Sequence, residues 1–488
     1  MHNVAAVLGY EQRKYTNSSI AASRYDLPEN NLLDQINAGD ASDQRNDGGM
    51  DENSIRSVFG RINYNFAERY LLEVTLRYDG SSRFPKNNRF ELFPSVSAGW
   101  RISEEDFFNF DPISNLKLRA SWGHLGNQEI GNYAYQNKYS LGRLYGFGNI
   151  MYSGIAENYS MSNSTIGWEN TEMVNAGLDL NILNNRLSFT FDYFVRNTRD
   201  ILMSLPQPTI LGAYAPVINA GAVRNKGFEM QLGWNDQLKD FNYYANLSVS
   251  RVKDKITDLK GADTPGRSVG DPINNIFGLE AIGLFASEEE IKNAPNQDYT
   301  GGASPGDIRY KDQNGDKKIT AEDRVNLGNT FPGVTFGLQL GASYKGFDIA
   351  TTIHAVADVQ GYLTGTAAQA FANGASALEA QKDRWTPNNL NASYPRLSLN
   401  NASRNYTQTN SFFMENASYI KMRNLQIGYS LPKSILSNLF VEKCRFYVNA
   451  DNLFTITSFR GFDPETPWGG GNIYPMVTSY TFGLNLVF

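Results

Sequence analysis

Apolar and polar residues alternate with a period of two along this chain, in short runs that recur from one end to the other. Such alternation marks a strand with one face against an apolar medium and the other against a polar one. In Val58 to Phe66 the apolar set is Val58, Gly60, Ile62, Tyr64 and Phe66, with Arg61, Asn63 and Asn65 on the other face. The next run sets Tyr70, Leu72, Val74, Leu76 and Tyr78 against Glu73, Thr75, Arg77 and Asp79. Further strands are expected at Val4 to Tyr10, Val96 to Ile102, Leu116 to Trp122, Val174 to Ile182, Leu187 to Val195, Phe228 to Trp234 and Tyr243 to Val249. The remainder fall at Val334 to Tyr344, Phe347 to Ala355, Leu425 to Leu431, Cys444 to Ala450 and Tyr480 to Phe488. The total is about 14 strands, each near the length that crosses a bilayer at a tilt.

Turn chemistry tests the pattern, because a hairpin must bring both apolar faces to the same side. A turn at Asn184 and Asn185, residues that tolerate positive φ, pairs Ile182 with Leu187, Leu180 with Phe189 and Leu178 with Phe191. A turn at Lys345 and Gly346 pairs Tyr344 with Phe347 and Ala342 with Ile349. A loop at Ala67 to Arg69 pairs Phe66 with Tyr70 and Tyr64 with Leu72. These short connections interleave with long ones, at 16 to 53, 123 to 169, 197 to 224, 253 to 333, 358 to 417 and 455 to 474. Short turns on one side and long loops on the other are the signature of an outer-membrane β-barrel. A soluble sandwich, propeller or β-helix is the competing reading. No 40-residue repeat supports a propeller, and the aromatics on the apolar face near strand ends suit interfacial girdles.

Composition agrees. Aromatic residues make up 13% of the chain, with 27 Tyr and 29 Phe, which favours strands. Mean hydropathy is negative and no apolar run reaches the ~18 residues of a membrane helix. Barrel strands average to soluble-looking values, so this excludes helical membrane proteins alone. The net charge of −6 disfavours nucleic acid as a partner. The single cysteine, Cys444, cannot form an internal disulfide. No secretory signal opens the chain, since Met1 to Tyr15 alternates like a strand.

Several collinear segments narrow the class. DGSSRFPKNNRF from Asp79, FPSVSAGWRISEE from Phe93, LKLRASWGHLGNQEI from Leu116, GWENTEMVNAGLDL from Gly167 and NRLSFTFDYFVRNTRDIL from Asn185 resemble SusC/RagA-type TonB-linked outer-membrane proteins. So do NKGFEM from Asn225, PGDIRYKDQNGDKKITAEDRVNLG from Pro305, DRWTPNN from Asp383, ASYIKMRNLQIGYSLP from Ala417 and DNLFTIT from Asp451. The final strand, with Phe488 at its end, looks like a barrel assembly signal. The resemblance implies an all-β transmembrane antiparallel barrel of about 22 strands, of which residues 1 to 488 are the C-terminal part. On that reading the plug and N-terminal extension domains are absent here. It implies import of an oligosaccharide or peptide across the bacterial outer membrane. The implied partners are a SusD-like surface lipoprotein as lid, the TonB complex acting through the missing N-terminal region, and outer-membrane lipids. A passive channel of about 14 strands closed on themselves is the alternative, and an outer-membrane hydrolase a further one.

Candidate chemistry is sparse. Asp312, Asn314, Asp316, Lys318, Thr320 and Asp323 follow calcium-loop spacing at positions 1, 3, 5, 7, 9 and 12, where hard oxygen ligands wrap one cation. Lys317 stands where a glycine is usual, and Asp323 where a bidentate glutamate is, so a solvated polar turn competes. A calcium ion is the one cofactor this pattern allows. Trp385 and Trp468 are candidate substrate-binding residues and Trp168 is a third loop tryptophan, since an indole face matches a sugar's apolar face or holds its own loop together. Arg61, Glu73, Arg77, Lys117, Arg119 and Asp192 fall on the polar face, where plug or water is the expected neighbour. The three histidines, His2, His124 and His354, propose no triad, and no catalytic residue is expected.

Overall fold

A computed structural model describes residues 1–488 apart from 30–33, 158–160, 206, 207, 209, 211, 265, 399–403, 437–439, 471 and 472. Fourteen strands follow one another in sequence order in a single sheet. They are β1 (His2–Ser23), β2 (Arg45–Phe66), β3 (Tyr70–Ser81), β4 (Phe90–Arg101), β5 (Ile113–Asn127), β6 (Glu169–Ile182) and β7 (Leu187–Ser204). The others are β8 (Val217–Leu238), β9 (Phe241–Asp258), β10 (Val334–Tyr344), β11 (Phe347–Ala357), β12 (Tyr419–Ser430), β13 (Lys443–Thr457) and β14 (Ser479–Val487). Every expected strand is present. Among the described residues β1 and β14 are the two ends of the order and do not pair with each other, which removes the closed 14-strand channel. No helix of the described residues is long and apolar enough to cross a membrane.

Two of the expected registers are found in the backbone pairing: Phe66 opposes Tyr70 and Tyr64 opposes Leu72, while Tyr344 opposes Phe347 and Ala342 opposes Ile349. Lys345 and Gly346 both hold positive φ, as do Asn184 and Asn185, so each tight turn carries the backbone its residues were read for.

Several strands are longer than the alternation suggested. β1 and β2 pair over 22 residues, from His2 opposite Phe66 to Ser23 opposite Arg45. At ~3.3 Å per residue that is ~70 Å, more than twice the hydrocarbon thickness. Residues 16–23 and 45–53, read from the sequence as loop, are therefore strand. They lack alternation because both faces of this ribbon are exposed, and it is held by backbone pairing with side-chain links such as Thr16 to Glu52 at 3.2 Å.

The chain forms two compact units. One comprises Met1–Ala98, Ser121–Met173 and Asn197–Ala222. Its core is small and aromatic: Phe84, Phe93, Ile166 and Trp168 are buried together, with the Trp168 ring 5.2 Å from Phe84 and 5.4 Å from Phe93. It also carries a two-stranded hairpin, Tyr139–Phe147 with Ile150–Glu157.

The second unit comprises Gly99–Ala120, Val174–Arg196 and Val223–Phe488. Here the connections after β9, β11 and β13 are far from structureless. Asn275–Leu279 pairs with Arg324–Asn329, and Ala281–Leu284 with Ile308–Tyr310. Gln360–Leu363 lies between Met414–Asn416 and Trp468–Gly469. Around these short strands Ile276, Leu279, Ile308, Tyr310, Ile319 and Phe413 form a buried core that reaches Val356 and Tyr419 at the strand ends. The three connections thus fold into one module.

Candidate functional site

In the second unit the apolar strand face is exposed: Phe347, Ile349, Ile427, Phe446 and Val448 all present their side chains to the surroundings. The opposite face carries paired charges. Arg119 of β5 reaches Asp179 of β6 at 2.9 and 3.0 Å and Asp192 of β7 at 3.0 and 2.9 Å, two bidentate pairs from one guanidinium. Asn175 donates to Asp192 at 2.8 Å. Gly177 makes room for the cluster, since a Cβ there would lie 2.6 Å from the Asp192 carboxylate and 2.8 Å from the guanidinium. Further along the same face Arg445 donates to Asp348 at 2.9 Å and to Gln426 at 2.8 Å. Arg119 and Asp192 were read from the sequence as polar-face residues with plug or water as neighbours. On that face they pair with each other.

A separate charged cluster pins a connection to the wall. Lys421, almost wholly buried, has its ammonium 3.0 Å from Glu465 and 3.5 Å from Asp463. Tyr419 donates to Glu465 at 2.8 Å, Arg423 also pairs with it, and the Tyr419 hydroxyl lies 3.1 Å from His354 Nδ1. Burial raises the Glu465 carboxyl, but the hydrogen bonds from Lys421 and Tyr419 and the charges of Lys421 and Arg423 outweigh it, leaving the group below its ordinary value.

Local backbone explains the grouping. Thr352 opposes Asn424 and Ile353 opposes Met422, so Arg423 is an extra residue on β12. This bulge shifts parity. Below it Asn424 and Gln426 share the face of Thr352 and Ala350; above it Lys421 shares the face of His354.

The loop module has its own polar centre. Asp307 is buried and accepts from Arg396 at 2.7 and 3.1 Å and from Asn405 at 3.1 Å. Fully buried Asn410 receives support from the Tyr362 hydroxyl, to which its backbone N–H donates at 3.1 Å. Burial pushes the hydroxyl of Tyr310 well up and that of Tyr406 up to about 12, so both stay protonated, and that of Tyr310 accepts from the Asn410 amide at 3.4 Å. None of Lys421, Asp463, Glu465, Asp307, Arg396 and Asn410 stood out in the sequence. The one available signal was that Tyr419, Lys421 and Arg423 alternate just before an apolar run.

The candidate tryptophans have separate surroundings. Trp168 is interior to the first unit and donates through Nε1 to the Arg89 carbonyl at 3.0 Å. Trp385 lies over Gly306, where a Cβ would come within 2.5 Å of its ring. Trp468 is about half exposed and stacked on Tyr362 at 5.0 Å.

In the calcium-spaced loop, Asp312 accepts from the N–H groups of Gly315 at 2.7 Å and Lys317 at 2.8 Å. Asp316 accepts from Lys318 N–H at 2.8 Å, and buried Asp323 accepts from Gln313 at 2.8 Å and Thr320 at 2.7 Å. Lys317 holds φ 65°, so the sharp turn is made by a lysine where glycine is usual. Among the described residues no group of three or more His, Cys, Asp or Glu is set to hold a metal ion.

A sheet with an apolar outer face, a face of paired charges and folded long connections on short-turn hairpins defines a transmembrane β-barrel wall. Residues 2–453 match the model of the TonB-dependent receptor-like β-barrel, and the chain belongs to that family. It is 29% identical to TonB-dependent receptor P3 of Formosa agariphila, over the whole of this chain and 51% of that protein. It is 30% identical to TonB-dependent receptor SusC of Bacteroides thetaiotaomicron, over 89% of this chain and 44% of that protein. A solved structure of the RagAB peptide transporter superposes with a TM-score of 0.85 at 27% identity, covering 99% of this chain and 53% of the other. The chain spans about half the length of the curated relatives it matches. It is an outer-membrane protein of the SusC/RagA kind, and its apolar strand face is the lipid face.

Proposed function

We propose that these strands serve a TonB-energised importer of nutrient oligomers, glycan or peptide, working with a plug, a TonB-contacting segment and a SusD-like surface lipoprotein as lid. The observation that carries this reading is the loop module. Its packed core and buried Asp307–Arg396–Asn405 centre make a firm platform on which a lid or a ligand can seat. The likeness to SusC supports the TonB-dependent class, and the likeness to the RagAB peptide transporter supports peptide among the cargoes. The test is uptake of labelled oligomers by cells carrying the transporter, with and without TonB and with a protonophore. Uptake is expected to stop in both deficient cases and to fall when the neighbouring lipoprotein is deleted. Selective flux that continues without TonB would return the protein to the passive class.

A further inference from the structure

The loop module contains an open groove of about 390 Å³ that none of the clusters above uses. Ala370, Phe371, Leu378, Gln381, Arg384 and Leu397 line it. Its volume lies within the usual range for small-molecule sites, ~300–1,000 Å³.

Three features distinguish it from an ordinary surface dent. Phe371 holds φ 61°, a left-handed conformation that a bulky side chain avoids, and does so while exposing its ring. Gln381 is almost completely buried; its Oε1 accepts from Leu378 N–H at 2.9 Å, while its Nε2 has no partner among the described residues. That anchored side chain gives the groove a fixed floor.

The third is charge. Glu379 and Lys382 at the rim pair with each other at 3.6 Å. Both oxygens of neighbouring Asp383 are occupied, by Asn389 at 2.9 Å and the N–H of Ser393 at 3.0 Å, which also holds this carboxyl below its ordinary value. Half-buried Arg384 is thus left without a carboxylate or carbonyl for its guanidinium among the described residues. A planar fork with five donors is built to take a carboxylate through two bonds.

We propose that this groove binds a peptide through a free carboxylate and an adjoining apolar side chain. Arg384 takes the carboxylate, and Phe371, Leu378 and Leu397 enclose the apolar side chain. The balance of three apolar walls to one fork favours peptide over acidic glycan, which would need more hydroxyl-directed donors and acceptors. This assignment names the substrate class of the import reading and rests on it for its purpose.

The test is calorimetry on the purified protein in detergent, with three probes: N-acetyl-Ala-Ala-Leu, its C-terminal amide, and trigalacturonic acid. The free acid is expected to bind about tenfold more tightly than the amide. Arg384→Gln should bring the acid down to the amide's affinity while leaving the amide unchanged, and Arg384→Lys should retain part of the difference. Leu378→Ala should weaken acid and amide alike. Equal affinity for acid and amide, no binding of the acid, or indifference to Arg384→Gln overturns the proposal. Trigalacturonic acid displacing the peptide also overturns it, in favour of acidic glycan. Intact peptide binding without TonB-dependent uptake would count against import and leave the groove standing; uptake without peptide binding would do the reverse.

Discussion

In strands β9 to β14 and in the connections between them, apolar side chains lie in opposite places. On the strands Ile349, Ile427 and Val448 point outward and are left about half exposed, because the hydrocarbon of the membrane is their solvent. In the connections Ile276, Leu279, Ile308 and Ile319 are almost wholly buried, because water surrounds them and the ordinary hydrophobic effect applies. One short stretch of chain thus obeys two solvents. The charged groups follow: Arg445 and Asp348 pair on the strand face away from lipid, whereas Asp307 and Arg396 pair inside the module.

The contrast is most exposed to attack where the two regions join. Lys421 sits on β12 and holds Asp463 and Glu465 of the connection after β13. Lys421→Ala leaves two carboxylates without their buried cation and is expected to cost about 3–5 kcal/mol, enough to release the 458–469 connection. Faster hydrogen exchange and proteolysis confined to that segment would check it. Protection equal to the parent's would mean that the connection is held by its apolar contacts alone.

Within the module, Leu279→Ala should cost about 2–5 kcal/mol, since it empties a fully buried site. Val448→Ala on the lipid face should cost under about 1 kcal/mol, because lipid replaces the missing methyl groups as it would any neighbour. Urea melting of both variants in the same bilayer measures the difference. Equal losses would show that the strand face is packed against protein and is not a lipid surface.

Charge should invert that ranking on the strands. Val448→Arg is expected to cost about 2–4 kcal/mol in a bilayer if it lies near the midplane, and much less toward either interface. Spin labels read the same division without stability: labels at Phe189 and Phe191 should be accessible to oxygen, and labels at Thr190 and Asp192 to a water-soluble nickel complex. Identical accessibilities at the four positions would dissolve the two-face description.

These two regions were unequally legible in the sequence. The strands were readable because lipid on one side forces alternation, and the Lys345–Gly346 turn carried the register of Tyr344 and Phe347 with it. Where alternation is not required, the reading stopped: residues 16–23 and 45–53 pair as strand with polar groups on both faces. It also stopped at the bulge. β12 was read from Leu425 although the strand starts at Tyr419, because the extra residue Arg423 changes which parity faces lipid. The module was missed for a further reason. Its strands are two to six residues long, too short for a period, and its core is assembled from three connections far apart in sequence. Spacing could nominate Trp385 or Asp312, but only folding shows Trp385 over Gly306 and Asp307 under Arg396.

A pH step should distinguish the clamp from the core. Glu465 is held below its ordinary value, so its contribution is fully present above the usual glutamate range and is lost as pH falls through the lowered value. Exchange protection of 458–469 is therefore expected to be constant at neutral pH and to decline in acid, while Ile276 and Leu279, with no titrating side chain, keep theirs. Glu465→Gln should remove that acid step. An unchanged profile in the variant would assign the step to another group.

The smallest effect is expected at the 312–323 loop. Calcium spacing makes a cation there a proposal, with Asp312 and Asp316 as its ligands, yet both carboxylates already accept backbone N–H donors. A loop that holds itself gains little from a metal, so millimolar calcium should raise the melting temperature by no more than about 2 °C. Asp316→Ala should remove both that shift and the calorimetric heat, since Asp316 contributes one oxygen to Lys318 N–H and keeps its second for a ligand. If the parent protein shows neither heat nor shift, the spacing reflects the turn alone. Asp312 and Asp323 would then be there to accept from Gly315, Lys317, Gln313 and Thr320, which is sufficient reason for a carboxylate at each position.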